Sequence, residues 1–313
     1  MENREPLPGG EPESDSGPAR GAGGPLSPAR AVLRVSGYPL LLVGTVSVAV
    51  VALCLDWDPD RVSPFFLLGT IGYLTVLERL IPYRRAWHPN SREWRWYGIY
   101  FVLTMVASAF AQYLVSTMVS LISPDEPIFN LWVEIPGALL TGSLASYLVH
   151  RFGHTNAILW RFHGVHHVPE KVNVANNGVN HVLDIVLAQG FVQIALALVG
   201  FSRESVFVVG LFVAAQGYFV HANIDVRIGR LNHVFASPEQ HRLHHSTDLS
   251  EAGHYGSDLS IWDHAFDSYT WRPGREPVAV GLGDPASFPR TGEIVASLLH
   301  PLRRAKRGGV GSS

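Results

Sequence analysis

The sequence predicts an all-α integral membrane protein: about four to six transmembrane helices with a cytoplasmic helical cap that carries histidine boxes. Three observations lead there. Of 313 residues, 47% are apolar and 16% charged, with a mean hydropathy of +0.15, whereas soluble domains carry about a quarter charged residues. Six apolar runs approach the roughly 20 residues that a helix needs to cross hydrocarbon. The loops between those runs alternate in charge.

In chain order, residues 1–34 read as a disordered tail. The first thirty hold six prolines and six glycines and almost no large apolar side chains, so they cannot bury enough surface to offset their ordering entropy. No apolar stretch begins near the start, which argues against a signal peptide. Residues 35–135 read as N-terminal membrane helices. The runs at 38–55 and 97–122 are long enough to span. The run at 62–77 is shorter and extends through Glu78 and Arg79 to Pro82, and 131–149 qualifies if Glu134 lies near the headgroups. Two further runs, 183–201 and 205–220, are separated by "SRES" and suggest a helical hairpin that spans or enters the bilayer.

Arginine placement sets the orientation. The loop "YRRAWHPNSREWRW" has Arg84, Arg85, Arg92 and Arg95 against Glu93, and so should be cytoplasmic; "DWDPDR" and "SPDEPIF" are acidic and should face outward. Trp94, Trp96 and Tyr97 suit an interfacial aromatic belt. This places the N-terminus and every histidine cluster inside. A soluble protein with buried core helices would not need six such runs with alternating loop charge. The net charge of −2 gives no reason to expect nucleic acid. A single cysteine, Cys54, excludes an intrachain disulfide and any thiolate metal cluster.

Twelve of the fifteen histidines fall between residues 150 and 254. "HRFGH" spaces His150 and His154 at i,i+4; "WRFHGVHH" places His163, His166 and His167 at i, i+3, i+4; "QHRLHH" repeats that with His241, His244 and His245. On helices these spacings share a face, so each triple can aim its ring nitrogens at one point. A lone interior histidine is usually a hydrogen-bonded core residue. Burying an unpaired polar group nevertheless costs roughly 1–3 kcal/mol, and eight or more together could consume most of the ~5–15 kcal/mol that holds a domain folded. A metal satisfies them collectively, since neutral imidazole suits iron, zinc and copper. Eight to ten histidines imply two ions, because one zinc would need only three or four.

These boxes resemble those of the fatty acid hydroxylase (sterol desaturase) superfamily, integral membrane enzymes with a non-haem di-iron centre. "YFVHAN" at 218–223, "LNHVFASPEQHRLHHS" and "YGSDLSIWDHAFDSYTW" at 255–271 resemble its flanking segments. The resemblance covers roughly 136–272, which would be the catalytic domain. It implies metal ligation, and with it a catalytic role, for His150, His154, His163, His166, His167, His221, His241, His244 and His245. His181 matches a position that is either a ligand or behind one, with Asp184 one turn later to hold its ring. Asp225 stands where some relatives place another histidine. His254 stands where relatives commonly have asparagine, as an extra ligand or a polar substitute. Asn223 and Asp263 would act behind the ligands at most; His88, His264 and His300 read as ordinary loop residues, and His233 more as a structural residue than a ligand.

The family chemistry implied is O2-dependent hydroxylation, or desaturation, of a C–H bond in a lipidic substrate that enters from the bilayer. Two iron ions would be the cofactor and O2 the co-substrate. No nucleotide-binding glycine motif, cysteine set or fused cytochrome-like domain is evident, so electrons would come from a separate protein such as a ferredoxin. The setting implied is a bacterial-type plasma membrane with the active site on the cytoplasmic side. A metal transporter would place its ligands at mid-membrane depth, a two-haem cytochrome would pair histidines across helices, and an inactive relative would not need intact boxes. Residues 273–313, rich in proline and glycine and ending near "PLRRAKRGG", read as a flexible basic tail.

Overall fold

The computed structural model describes residues 27–119 and 129–303. Among them the protein is helical, with no β-strand and only three isolated bridges, Pro82 with Ile224, Phe235 with Leu259 and Ser246 with Val280. The long helices are α1 (Pro28–Cys54), α2 (Pro59–Leu80), α3 (Ser91–Val119) and α4 (Leu131–Thr155); the short α5 (Ala157–His163) precedes α6 (Val182–Val199) and α7 (Arg203–His221). Three short helices complete the set: α8 (Pro238–His244), α9 (Ile261–Ala265) and α10 (Ile294–Leu299).

Four helices are long and apolar enough to cross a membrane: α1, α3 through Val115, α6 and α7. The chain is thus an integral membrane protein. α2 and α4 are of similar length but carry Asp60, Arg61, Glu78 and Arg79, or Glu134, His150, Arg151 and His154, near their ends. Val43, Val46 and Val50 on α1, Phe65 and Leu68 on α2, and Val102, Val106 and Phe110 on α3 are exposed. A lipid-facing helix can do this because its backbone is satisfied internally and hydrocarbon accepts the side chains.

Helix starts follow the capping rules. α1 begins at Pro28, inside the stretch predicted as tail, because Ser27 Oγ accepts the Arg30 N–H at 3.4 Å and proline suits the first turn. Arg34 then ties this end down, its Nε–H donating to Asp225 O at 3.2 Å and its carbonyl accepting Arg227 N–H at 2.9 Å. Glu134 does not lie free at the headgroup level. It is buried, and its carboxylate accepts Ser202 N–H (3.1 Å), Ser202 Oγ (2.7 Å) and Ser205 Oγ (2.9 Å) at the start of α7. The positive end of the α7 dipole stabilises this charge.

α3 packs on α6, α4 lies against both α6 and α7, and α7 also packs on α2 and α1. After the left-handed turn at Gly200 (φ 84°), α6 and α7 both lie on α4, α6 also meeting α3 and α7 meeting α2 and α1, instead of packing along one another as a hairpin. The central cluster has Tyr38 stacked on Phe219 at 4.4 Å, with Leu74, Ile224 and Phe235 around it. Past residue 273 the chain is not a loose tail as far as Arg303. Phe288 is buried beside Tyr97, Trp160 and Val165, and Val280 beside Tyr83 and Trp87. The apolar side chains that proline-rich composition concealed anchor it. The tail expected over 1–26, most of the acidic loop at 123–129 and the basic end at 304–313 lie outside the described residues.

Candidate metal centre

Nine histidines form two groups. His150, His154, His163, His167 and His244 make the first, and His166, His221, His241 and His245 the second; within each, the ring nitrogens lie within 4.8 Å of one another. α4 supplies His150 and His154, α5 and the turn after it supply His163, His166 and His167, α7 ends on His221, and α8 brings His241 and His244, with His245 at its C-cap.

The triples do not each converge on one point. His163 and His167 join the first group while His166 joins the second, and His244 separates in the same way from His241 and His245. Neighbouring positions on a helix point about 100° apart, so a pair of adjacent histidines serves two centres. Tight turns preserve this arrangement beyond α5, through His166 N–H to His163 O (2.9 Å) and His167 N–H to Gly164 O (3.1 Å).

Tautomers follow from the outer partners. His150 Nδ1 lies 2.6 Å from Tyr255 O, His166 Nδ1 3.2 Å from Val179 O, His221 Nδ1 3.0 Å from Asn173 O and His244 Nδ1 3.4 Å from Gly253 O. A carbonyl only accepts, so Nδ1 carries the proton and Nε2 presents its lone pair. His163 Nδ1 meets Asp184 Oδ2 at 3.0 Å. Inward, Nε2 of His150, His154, His163, His167, His221 and His244 is buried without a hydrogen-bond partner, and Nε2 of His241 and His245 face each other at 3.1 Å. Outer N–H groups held by carbonyls or a carboxylate, with free nitrogens aimed at a common centre, are what metal-ligating histidines require. The residues present fit a pair of metal ions.

Burial keeps rings in both groups neutral. It pushes His150 down to about 3, helped by the charge His163 would carry and opposed by the Tyr255 carbonyl. Burial also lowers His154, His166, His167, His241, His244 and His245 well below the usual imidazole range, with neighbouring imidazoles adding to the effect.

The remaining candidates lie outside both groups. His181 caps α6: its Nδ1 accepts Leu183 N–H at 3.1 Å and its Nε2 meets Leu298 O at 3.1 Å. Asp184 therefore orients His163 instead of His181, whose ring turns toward Phe162. Asp225 pairs with Arg34 (3.1 Å) and Arg227 (3.0 Å). His254 is fully buried at φ 71°, a left-handed conformation in which asparagine and histidine are both enriched. His233 Nδ1 lies 3.3 Å from His264 Nε2 at the surface. His88 follows a 3-10 turn, and His300 packs at a tilt against Phe288.

Asn223 and Asp263 support the ligands through the main chain. Asp263 accepts Tyr255 N–H (2.7 Å) and Gly256 N–H (2.9 Å), and so fixes the carbonyl that holds His150. Asn223 exchanges hydrogen bonds with Arg84 main chain, while buried Glu78 accepts Asn223 N–H and Val174 N–H, both at 2.8 Å, on either side of His221. Sequence reasoning missed Glu78, whose only signal was a carboxylate ending an apolar run, and the four carbonyls, which leave no signal in side-chain identity.

A cavity of about 760 Å³ between α2, α3, α4, α6 and α7 reaches His150, His163, His166 and His241.

The fatty acid hydroxylase family model matches residues 135–268. Ornithine lipid hydroxylase OlsE of Rhizobium tropici is 27% identical over 257 residues, covering 77% of this chain and 75% of that protein. Alkylglycerol monooxygenases of Homo sapiens and Danio rerio are each 30% identical, over 190 and 170 residues. The matches cover 59% and 52% of this chain but only 42% and 35% of theirs, so the chain spans less than half of those relatives. No solved structure matches. All the histidines of both groups fall within the matched segment, and the chain is an oxidoreductase whose residues 135–268 form a fatty acid hydroxylase domain.

Proposed function

We propose that this protein hydroxylates a C–H bond of a membrane lipid with O2, using two iron ions. One would be held by His150, His154, His163, His167 and His244, the other by His166, His221, His241 and His245. The observation that carries the reading is the gathering of nine histidines into two groups beside a cavity between helices, with the Nε2 atoms of the whole first group and of His221 buried and unpartnered. Bound iron supplies the redox chemistry toward O2 that side chains alone lack. One oxygen atom enters the C–H bond and the other leaves as water, with two electrons and two protons from outside. A ferredoxin or similar small protein would deliver the electrons.

The chain's own groups hold the rings in one tautomer, exclude bulk water and leave a cavity for the lipid. The relatives, a lipid hydroxylase and monooxygenases, favour hydroxylation over desaturation. A cytoplasmic site at the plasma membrane is supported by the arginine-rich loop, which packs against the histidine half: Asn173 Nδ2 donates to Trp87 O at 3.0 Å, and Asn223 bonds Arg84.

Metal analysis of the purified protein tests the centre: iron at about two per chain is expected for five- or four-histidine groups, and zinc alone or a haem spectrum would overturn it. Lipid profiles of cells expressing the intact protein and His244→Ala test the reaction. A new hydroxylated lipid should appear only with the intact protein, and an identical profile from the mutant would refute it.

A further inference from the structure

The cavity that reaches the histidines is not uniform along its length. At the histidine end it is bordered by Asn177, Asn180 and Asp184, and further out by Gly210, Ala214 and Gly217 on α7. These last three lie at i, i+4 and i+7, on one face of the helix. At Gly210 and Gly217 nothing lies within 4 Å of where a Cβ would project, so the open space is where a side chain would otherwise be. On the opposite wall Ser108 Oγ accepts Gln189 Nε2–H at 2.9 Å and Thr104 Oγ1 donates to Gly178 O at 2.9 Å. These polar groups satisfy one another and ask nothing of an occupant. The cavity therefore has a polar end at the histidines and a small-residue wall on α7 leading away from them, with Asp60, Ser63 and Gln112 among its other lining residues.

From Gly210 to Val220 the α7 wall runs about 15 Å at the helical rise, which matches an extended chain of roughly a dozen carbons. Its volume of about 760 Å³ lies within the range of small-molecule sites. The helices that pack closely run in the order α3, α6, α4, α7, α2; the two end members flank the cavity and leave a side toward the bilayer, where Ala109 and Gly210 are exposed.

Resting on the lipid-oxidation reading above, we propose that the substrate lies with its polar headgroup at Asn177 and Asn180 and its chain along Gly217, Ala214 and Gly210. Oxidation then falls on a carbon close to the headgroup, and Gly210 sets the longest chain accepted. Gly217, one turn before His221, sets whether any chain passes the histidines.

The test uses the full-length, iron-loaded protein, lysophosphatidylethanolamines of stepped chain length and, for turnover, O2 with a reduced ferredoxin, with binding read by native mass spectrometry and hydroxyl position by fragmentation of the product. Gly210→Leu should weaken the longest member relative to the shortest by roughly tenfold or more, and Gly210→Ala by less, in line with what a methylene-scale obstruction does in an apolar pocket. Gly217→Leu should abolish binding of all members while iron content stays at the wild-type value. Gly72→Leu, on the exposed face of α2 with open space around it, should bind like wild type and controls for a leucine added to a membrane helix. An unchanged length profile in both Gly210 variants, or a hydroxyl in the outer half of the chain, overturns the assignment. Lipid bound with the expected length dependence but never oxidised would overturn the reaction and leave the role of the α7 wall standing. Oxidation with no length dependence would do the reverse.

Discussion

Arg242 sits among three histidines of α8 yet takes no part in their centre. It is buried, its guanidinium lies 3.8 Å from the centroid of the Tyr83 ring, and it donates to Ile224 O at 3.3 Å. Helical geometry turns it away from the ring nitrogens and into a cation–π contact that anchors α8 to the arginine-rich loop. Asp184 works in the opposite direction, from behind His163. Asp184→Asn keeps the size but removes the anion that orients the ring; metal affinity of the first group should fall about 10- to 100-fold, read by titrating metal-free protein with Fe(II). Asp225→Asn, whose partners are arginines, should leave that affinity unchanged. Gly256 is confined by close approach: a Cβ there would meet Leu259 O at 2.5 Å and Asp263 Oδ2 at 2.6 Å. Gly256→Ala should therefore displace the Tyr255 carbonyl from His150 and lower both iron content and thermal stability.

The short helices position the ligands more than the long ones do. Asn156 ends α4 and begins α5, with its Oδ1 accepting Ile158 N–H (2.9 Å) and Leu159 N–H (3.1 Å). That single residue sets the angle at which His154 and His163 approach one another. Asn156→Ala should cost about 1 kcal/mol, the usual value of such a cap, seen as a lowered melting temperature with iron still bound. α8 begins with a reciprocal cap, Ser237 Oγ to Glu239 N–H at 3.2 Å and Gln240 Oε1 to Ser237 N–H at 2.9 Å, which aims its three histidines before any metal arrives. Glu134 is a different case. Glu134→Ala would strand three donors at the start of α7, each worth roughly 1–3 kcal/mol when left buried and unpaired, so the apo and iron-loaded proteins should lose stability together, in detergent melts.

Nine imidazoles in one buried region make the molecule sensitive to acid. Burial depresses the folded-state values of His150, His154, His166, His167, His241, His244 and His245, with His150 at about 3, against roughly 6.5 unfolded. Above pH ~6.5 neither state takes up a proton at these rings, and stability is fully present. As pH falls toward 3, the unfolded chain binds protons that the folded one refuses, and stability is lost. Chelated protein should show its melting temperature falling steadily below about pH 6.5, while iron-loaded protein holds its stability to lower pH because protons must first displace metal.

The sequence alone determined the helical membrane architecture and the family resemblance, and it named nine histidines that the structure gathers into two groups, because apolar run length and histidine spacing are local properties. It could not show that adjacent histidines part between two centres, that Asp184 belongs to His163, or that His181 is a helix cap. Nor could it show that the residues after 273 fold back over the cap. Those outcomes depend on which main-chain carbonyls and helix faces come together from distant parts of the chain, and a carbonyl has no letter in the sequence.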